Sequence, residues 1–442
     1  MMEGSLELKC EPSLSGVGSL FRYAGQPLKR FEDARSFSAR ATAFEVFGVY
    51  HLMIFDPELI EMVLISEHAS FEKDAFVRDL ERVLGKGLLS SEGEQWRQQR
   101  KLAAPAFQRS EIATYGQQMV DCAKNFLRNV EDGRSFDAHA GMMHLTLDIL
   151  VKTLFGTEVS RVQEVESALD GVMREYSPLR ITLRNGLPPW LTFASRRRIA
   201  QLRAALDSVL LELLAERRQR ADQRSDLLSR LLASSDAQGK MSDAELRDQT
   251  MTLFLAGHET TALDLTYALR LLSLHPLIAD RARREVSRVV GQRSPTVQDL
   301  PALTFTRAVL DETLRLFPPA WALARVSLRD RALGELFCKA RTEVVIAPWV
   351  MHRDQRFFTE PELFRPERWL SKTELPRGAY MPFGAGPRVC IGHHFALTEA
   401  LLVLAVFLSR GNFRLLNGPL LKLLPSITLR PSGPVQMRFE RH

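Results

Sequence analysis

The chain has 442 residues, of which 45% are apolar and 25% charged, and its formal net charge is +6. That balance is ordinary for a soluble globular protein, and the chain is long enough to bury a core around a small molecule. Its four cysteines, Cys10, Cys122, Cys338 and Cys390, are scattered and form no Cys-x-x-Cys pair, which excludes the common zinc and dithiol patterns and suits a reducing, cytoplasmic setting.

In chain order, residues 1–40 are punctuated by Gly and Ser and read as a loosely packed lead-in. Residues 1–20 lack the sustained apolar stretch of a signal peptide. Residues 44–55, rich in Val, Ile, Phe and Tyr and interrupted at Gly48, read as a hairpin. Asp56-Pro57-Glu58 opens a helix, with Asp at the N-cap and Pro in the first turn. From there to Phe317 the apolar residues recur at helical spacing, with breaks at Leu187-Pro188-Pro189 and His275-Pro276. Residues 196–230 gather much of the positive charge. No aromatic residues are interleaved there, so the stretch reads as a solvated helical face and not as a nucleic-acid surface. Ser242 and Glu245 form a capping box. The helical pattern they open runs to His275, about 50 Å at 1.5 Å per residue, enough to cross the whole body. Strand signal returns at residues 343–347 and weakly at 426–429. The longest clean apolar run, residues 400–408, is too short to span a bilayer.

The middle of the long helix reads Ala256-Gly257-His258-Glu259-Thr260-Thr261. Glycine inside a helix costs about 1 kcal/mol relative to alanine, and close approach of something flat is a reason to tolerate Gly257. Glu259 and Thr260 set an acid beside an alcohol, a pair suited to delivering protons. The zinc pattern His-Glu-x-x-His fails here, because Ala262 holds the second His position.

Upstream, Trp96 and Arg100 stand four apart, so an indole N–H and a guanidinium on one helix face can meet a carboxylate. Glu312 and Arg315 stand three apart and can pair. Leu316-Phe317-Pro318-Pro319 then ends that helix, and Phe364-Arg365-Pro366-Glu367-Arg368-Trp369 follows. Last comes Phe383-Gly384-Ala385-Gly386-Pro387-Arg388-Val389-Cys390-Ile391-Gly392. Its glycines allow backbone N–H groups to close on a thiolate, and Arg388 can reach an anion. A lone cysteine is usually an inert buried residue, but this run reverses that expectation.

The cysteine run resembles the haem-binding signature of the cytochrome P-450 family, Phe-x-x-Gly-x-Arg-x-Cys-x-Gly. The segments around Thr260, Glu312, Arg368 and Trp96 resemble that family's other motifs, in its order, so the resemblance covers roughly residues 40–430. It implies a mainly α fold with small β-sheets: one large domain, residues 41–442, with a long central helix over the haem.

The resemblance also implies the cofactor, heme b (iron protoporphyrin IX), with the Cys390 thiolate on its iron. Trp96, Arg100, Arg325 and Arg388 would hold its propionates, and Ala256, Gly257, Phe383, Gly384, Ile391 and Gly392 would contact it. Glu259 and Thr260 would manage protons, and Glu312, Arg315 and Arg368 would lock the cysteine loop. The substrate pocket would draw on residues 71–89, 183–193, 253–257, 320–323 and 426–427, with Phe76, Leu88, Leu253, Ala320 and Ile427 as its lining.

The implied reaction inserts one oxygen atom from O2 into a hydrophobic small molecule, fatty-acid-like, terpenoid or another natural product. Electrons would come from an acidic ferredoxin or flavodoxin-type partner fed by an NAD(P)H-dependent reductase. The enzyme would be a monomer without a membrane span. A peroxygenase or a non-oxidative isomerase or dehydratase on the same fold, and a haem gas sensor or electron carrier, are the rival readings. Two departures from the family pattern bear on strand geometry: residues 337–342 lack the Ile-Pro-x-Gly-Thr turn, and Gln355 stands where proline is typical.

Overall fold

The computed structural model describes residues 26–442, apart from 47–48, 156–161, 178–179, 182, 185–186, 189, 220–227, 230–234, 237–238 and 372–373. Its helices of ten residues or more are, in chain order, α1 (Pro27–Phe37), α2 (Ala75–Leu84), α3 (Gly93–Ala103), α4 (Arg109–Asn129), α5 (Ala138–Phe155) and α6 (Val162–Glu175). There follow α7 (Phe193–Gln219), α8 (Asp243–Leu274), α9 (Pro276–Val290), α10 (Thr304–Leu316) and α11 (His393–Leu408).

The strands are β1 (Ala41–Val46), β2 (Val49–Ile54), β3 (Phe71–Lys73), β4 (Ser135–Asp137), β5 (Ser235–Asp236), β6 (Gly239–Lys240) and β7 (Leu323–Ser327). After them come β8 (Arg331–Leu333), β9 (Leu336–Cys338), β10 (Glu343–Ile346), β11 (Gly411–Leu415), β12 (Leu423–Pro425), β13 (Leu429–Pro431) and β14 (Gln436–Arg441). The largest sheet has the order β1-β2-β10-β7-β3.

The expected hairpin is β1 and β2, paired from Ala41↔Ile54 to Val46↔Val49. Asp56 caps the next turn, its carboxylate accepting from the Glu58 N–H at 2.9 Å. Residues 27–37 depart from the loose lead-in: α1 buries Phe31 and Ala34. The Ala34 carbonyl accepts from Thr42 Oγ1 at 2.8 Å, and Arg35 pairs with Asp354 at 2.9 Å. Residues 1–25 lie outside the described residues. Of residues 426–429, read as weak strand, 426–428 form the turn between β12 and β13, where the Ser426 N–H donates to the Thr428 carbonyl, and Leu429 opens β13. The turn without its usual glycine still forms, because Arg341 takes the left-handed conformation at φ 67°.

The capping box at Ser242 and Glu245 is present, and α8 runs to Leu274, where His275 and Pro276 break the chain. From Gln249 to Leu272 this helix is buried except at Leu253, Ala256, Gly257 and Thr260. Those four recur at i, i+3, i+4 and i+7, which is a single helix face. Gly257 also lies close to α5: a Cβ there would lie 2.8 Å from Leu150 Cδ1, the end of a side chain that can turn aside. Among the described residues no helix is long and apolar enough to cross a membrane.

Candidate active site

The cysteine loop is shaped by its glycines. Gly384 and Gly386 sit at φ 72° and 69°, where a side chain is strained. A Cβ on Gly386 would fall 1.9 Å from the Leu64 carbonyl oxygen, so only glycine lets the loop lie against residues 62–66. The Cys390 N–H closes the loop by donating to the Phe383 carbonyl at 2.9 Å, and α11 starts three residues later. The thiol lies deep in the molecule, yet the residue remains accessible. Burial raises its pKa, while the Gly392 N–H and the Arg100 guanidinium oppose the rise. Both opposing groups favour the thiolate, the form that binds a metal.

Behind the loop, Glu312 and Arg315 are fully buried. Arg315 donates from Nε and Nη2 to the two Glu312 oxygens at 2.9 and 2.8 Å. Arg368 Nε, the Arg365 N–H and Trp369 Nε1 complete the shell around that carboxylate at 3.0, 2.9 and 2.8 Å. Arg315 also donates to the carbonyls of His352, Pro361 and Leu363, tying α10 to the segment ahead of the cysteine loop.

On the other side of Cys390 lies a crowd of cations. Arg388 stacks 3.8 Å over the Trp96 ring, donates to the Ser91 carbonyl at 2.8 Å and pairs with Glu92. Arg100 donates to the Val389 carbonyl at 2.9 Å. Arg325 and Lys73 face each other in the β3–β7 register. Burial, then Arg325 and Arg388, lower the Lys73 pKa to about 7, against Glu92 and Asp74. Burial likewise lowers Arg325, and raises Asp74 to about 6. Buried cations destabilise one another unless an anion joins them. The cluster therefore fits a ligand that carries carboxylates to the side of the thiolate. The sequence reading missed Lys73, since a single lysine in an ordinary segment carries no signal until strand pairing sets it opposite Arg325.

The acid and the alcohol part company in space. Thr260 stands on the open face of α8, its hydroxyl donating to the Ala256 carbonyl at 2.9 Å. Glu259 is fully buried beside it. Its Oε1 accepts from Thr428 Oγ1 at 2.6 Å and pairs with Arg430, while Oε2 has no hydrogen-bond partner among the described residues. Arg430 continues to Asp170 at 2.8 Å, and Asp170 is partly exposed. Burial works against the Arg430 charge, but Glu259 and Asp170 outweigh it and raise its pKa. Arg430 comes from β13 and Thr428 from the turn before it, and neither gave a sequence signal.

The model of the cytochrome P450 family, written P-450 here, matches residues 9–439. The chain belongs to the cytochrome P-450 family. It is similar to cyclooctatin synthase of Streptomyces melanosporofaciens, at 35% identity over 86% of this chain and 84% of that protein. It is also similar to cyclooctat-9-en-7-ol 5-monooxygenase of the same organism, at 36% over 82% and 80%. Pentalenene oxygenase of Streptomyces avermitilis is 35% identical over 80% of each chain. The protein is thus a cytochrome P-450 monooxygenase, an oxidoreductase whose family works with haem, O2, a substrate and a redox partner.

In this cytochrome P-450 the five apolar residues expected to line the pocket are all partly exposed. They lie on segments fastened to the central helix or to one another. The Leu88 N–H donates to Gln249 on α8 at 3.1 Å. The turn that carries Ile427 is bound by Thr428 to Glu259 and by the Leu429 carbonyl to Tyr267. That turn also accepts from Trp321, next to Ala320, at 3.0 Å. Phe76 meets Tyr176 edge-on at 6.4 Å. The tip of residues 183–193 differs from the expectation. Leu187, Trp190, Leu191 and Phe193 are exposed to solvent.

Proposed function

We propose that this cytochrome P-450 oxygenates a terpenoid or a comparable polycyclic hydrocarbon, using heme b. Two relatives are named for oxygenation of an alkene and an alkenol, pentalenene and cyclooctat-9-en-7-ol. The apolar residues beside the open face of α8 suit the same chemistry. The observation that carries the haem assignment is the cation cluster next to an accessible thiol. Lys73, Arg100, Arg325 and Arg388 outnumber the acids Asp74 and Glu92 beside them, and propionates would add negative charge there.

When bound, haem supplies the iron that activates dioxygen. Cys390 would hold its iron through the thiolate, and Trp96, Arg100, Arg325, Arg388 and Lys73 would hold its propionates. Leu253, Ala256, Gly257 and Thr260 would supply the helix face turned to it. Thr260 offers a hydroxyl where protons are consumed. Glu259, held beside that face by Thr428 and Arg430, keeps one oxygen without a hydrogen-bond partner among the described residues, where a proton can be taken up and passed on.

Exposed Arg97, Lys101 and Arg109 surround the Cys390 side, and Arg109 reaches His394 at 3.3 Å. An acidic ferredoxin-type partner suits that surface, with reduction rates that fall with salt.

The deciding experiment uses purified enzyme with a ferredoxin, its reductase, NAD(P)H and O2. A panel of cyclic terpene hydrocarbons and alcohols is screened by binding spectrum and then by product mass. A product that gains one oxygen atom from labelled O2 supports the reading. Turnover with hydrogen peroxide alone, or isomerised product without added oxygen, overturns it. Cys390→Ser loses the thiolate-type CO spectrum if the ligand assignment is right.

A further inference from the structure

Gln249 leaves one of its polar groups unused. The residue stands near the start of α8 and is 2% exposed. Its Oε1 accepts from the Leu88 N–H at 3.1 Å, while Nε2 has no hydrogen-bond partner among the described residues. A backbone N–H only donates, so it fixes which end of the amide faces residue 88 and leaves the NH2 group as the free end. The loop before Leu88 is fastened to the same turn of α8. The Lys86 N–H donates to Asp248 at 2.7 Å, and a Cβ on Gly87 would fall 2.5 Å from the Asp248 carbonyl oxygen. The Gln249 amide is therefore held in place and cannot turn to another partner without releasing Leu88.

A buried donor without an acceptor is costly, and native chains keep few of them. The position of Gln249 on the helix says what can relieve it. Gln249, Leu253, Ala256 and Thr260 stand at i, i+4, i+7 and i+11, which is one face of a helix. The last three are open residues of α8, on the face that would turn to haem and substrate. Gln249 extends that face toward the helix N-terminus, about 10 Å from Ala256 and about 16 Å from Thr260 at 1.5 Å per residue. Leu253 is one turn on, Leu88 is bonded to the amide, and both are partly exposed, so the amide lies one side chain away from open space. The Thr250 hydroxyl, buried on the next residue, also has no partner among the described residues.

We propose that Gln249 donates a hydrogen bond to an oxygen atom that the substrate already carries, a hydroxyl or a carbonyl at the end remote from the carbon to be oxygenated. This rests on the reading of the enzyme as a terpenoid oxygenase and narrows it from hydrocarbons to their alcohols and ketones. An uncharged donor among apolar residues suits an uncharged acceptor, since a carboxylate buried there without a cation is costly. The bond fixes one end of the substrate and so selects the carbon presented at the other. The substrate then arrives already oxygenated. A hydroxylation, or a cyclisation ended by water, must come before this enzyme.

The test uses full-length, haem-loaded enzyme and pairs of cyclic terpenes that differ by one oxygen function, cedrene with cedrol and valencene with nootkatone. Binding spectra give the affinities, and mass spectrometry gives the products. Wild type binds the oxygenated member of a pair about tenfold more tightly, the worth of one good hydrogen bond. Gln249→Leu removes that preference by weakening the oxygenated member, and spreads its product over several carbons. Melting temperature and the CO spectrum report that the variant is folded. The wild-type comparison does not depend on the variant. Wild type with no preference for the oxygenated member in any pair overturns the proposal. So does an equal loss for both members in Gln249→Leu, the mark of an amide that serves a buried water. Either result leaves the terpenoid reading standing. Enzyme that binds and oxygenates no member of any pair fails that reading instead, and the proposal falls with it.

Discussion

Glu259 on the central helix and Arg430 on a C-terminal strand form a buried ion pair, and Arg430 carries the contact on to partly exposed Asp170. The acid beside the open face of α8 is thus held by charge from the far end of the chain. Breaking a buried pair by removing one member costs about 3–5 kcal/mol, because the other charge is stranded. Arg430→Leu is expected to lower the melting temperature sharply and to reduce coupling of NAD(P)H to product. Glu259→Gln costs less stability, since Arg430 keeps Asp170. Thermal melts of the two variants and of their double variant measure the difference. Equal melting temperatures for wild type and Arg430→Leu would remove the pair from the account.

Lys73 gives a pH dependence with a defined sign. Its pKa in the folded chain is about 7, against 10.5 ordinarily. Between those values the unfolded chain holds a proton that the folded, haem-free chain has lost, so haem-free stability rises with pH across that window. The carboxylates of haem restore the proton. Apparent haem affinity is therefore expected to fall as pH rises above about 7, by up to about tenfold per pH unit. Lys73→Met flattens the profile. Haemin titrations of the apoprotein at neutral and alkaline pH read it, and equal wild-type affinities at both would contradict the sign.

Glu312 accepts five hydrogen bonds from four residues, and Arg315 has no exposed surface. Glu312→Ala or Arg315→Ala leaves a buried charge unmatched, at a cost of about 3–5 kcal/mol. Low haem content and poor folding are expected from both. Normal haem content with an unchanged melting temperature in either would show the network to be dispensable.

Thr260→Ala keeps the fold, the thiolate spectrum and substrate binding, because the lost hydroxyl bonds only within its own helix. Hydrogen peroxide per NAD(P)H consumed is expected to rise and product to fall. Unchanged stoichiometry would make Thr260 a packing residue.

Arg341 holds a left-handed conformation that costs a side-chain-bearing residue about 1–2 kcal/mol. Arg341→Gly is expected to stabilise the protein by about 1 kcal/mol after the larger entropy loss of glycine. A denaturant melt checks this, and a drop in stability would mean that the Arg341 side chain contributes more than its backbone costs.

The cysteine loop, the helix over it and the Glu312 network were legible from residue order alone. Their function depends on local spacing: glycines around Cys390, a capping box at Ser242, and partners three or four apart on one helix turn. Short-range geometry is written into adjacent residues, and it survives any way of packing the helices. Tertiary structure alone decided that Gly257 lies against Leu150. It likewise tied Glu259 to Thr428 and Arg430, brought Lys73 among the cations beside Cys390 and turned Leu187, Trp190, Leu191 and Phe193 outward. The first three depend on a contact with a distant element: Leu150 on α5, Arg430 on β13 and Arg325 on β7. A single chain does not record such contacts, because the free energy that fixes them comes from burial and charge pairing between segments far apart in sequence.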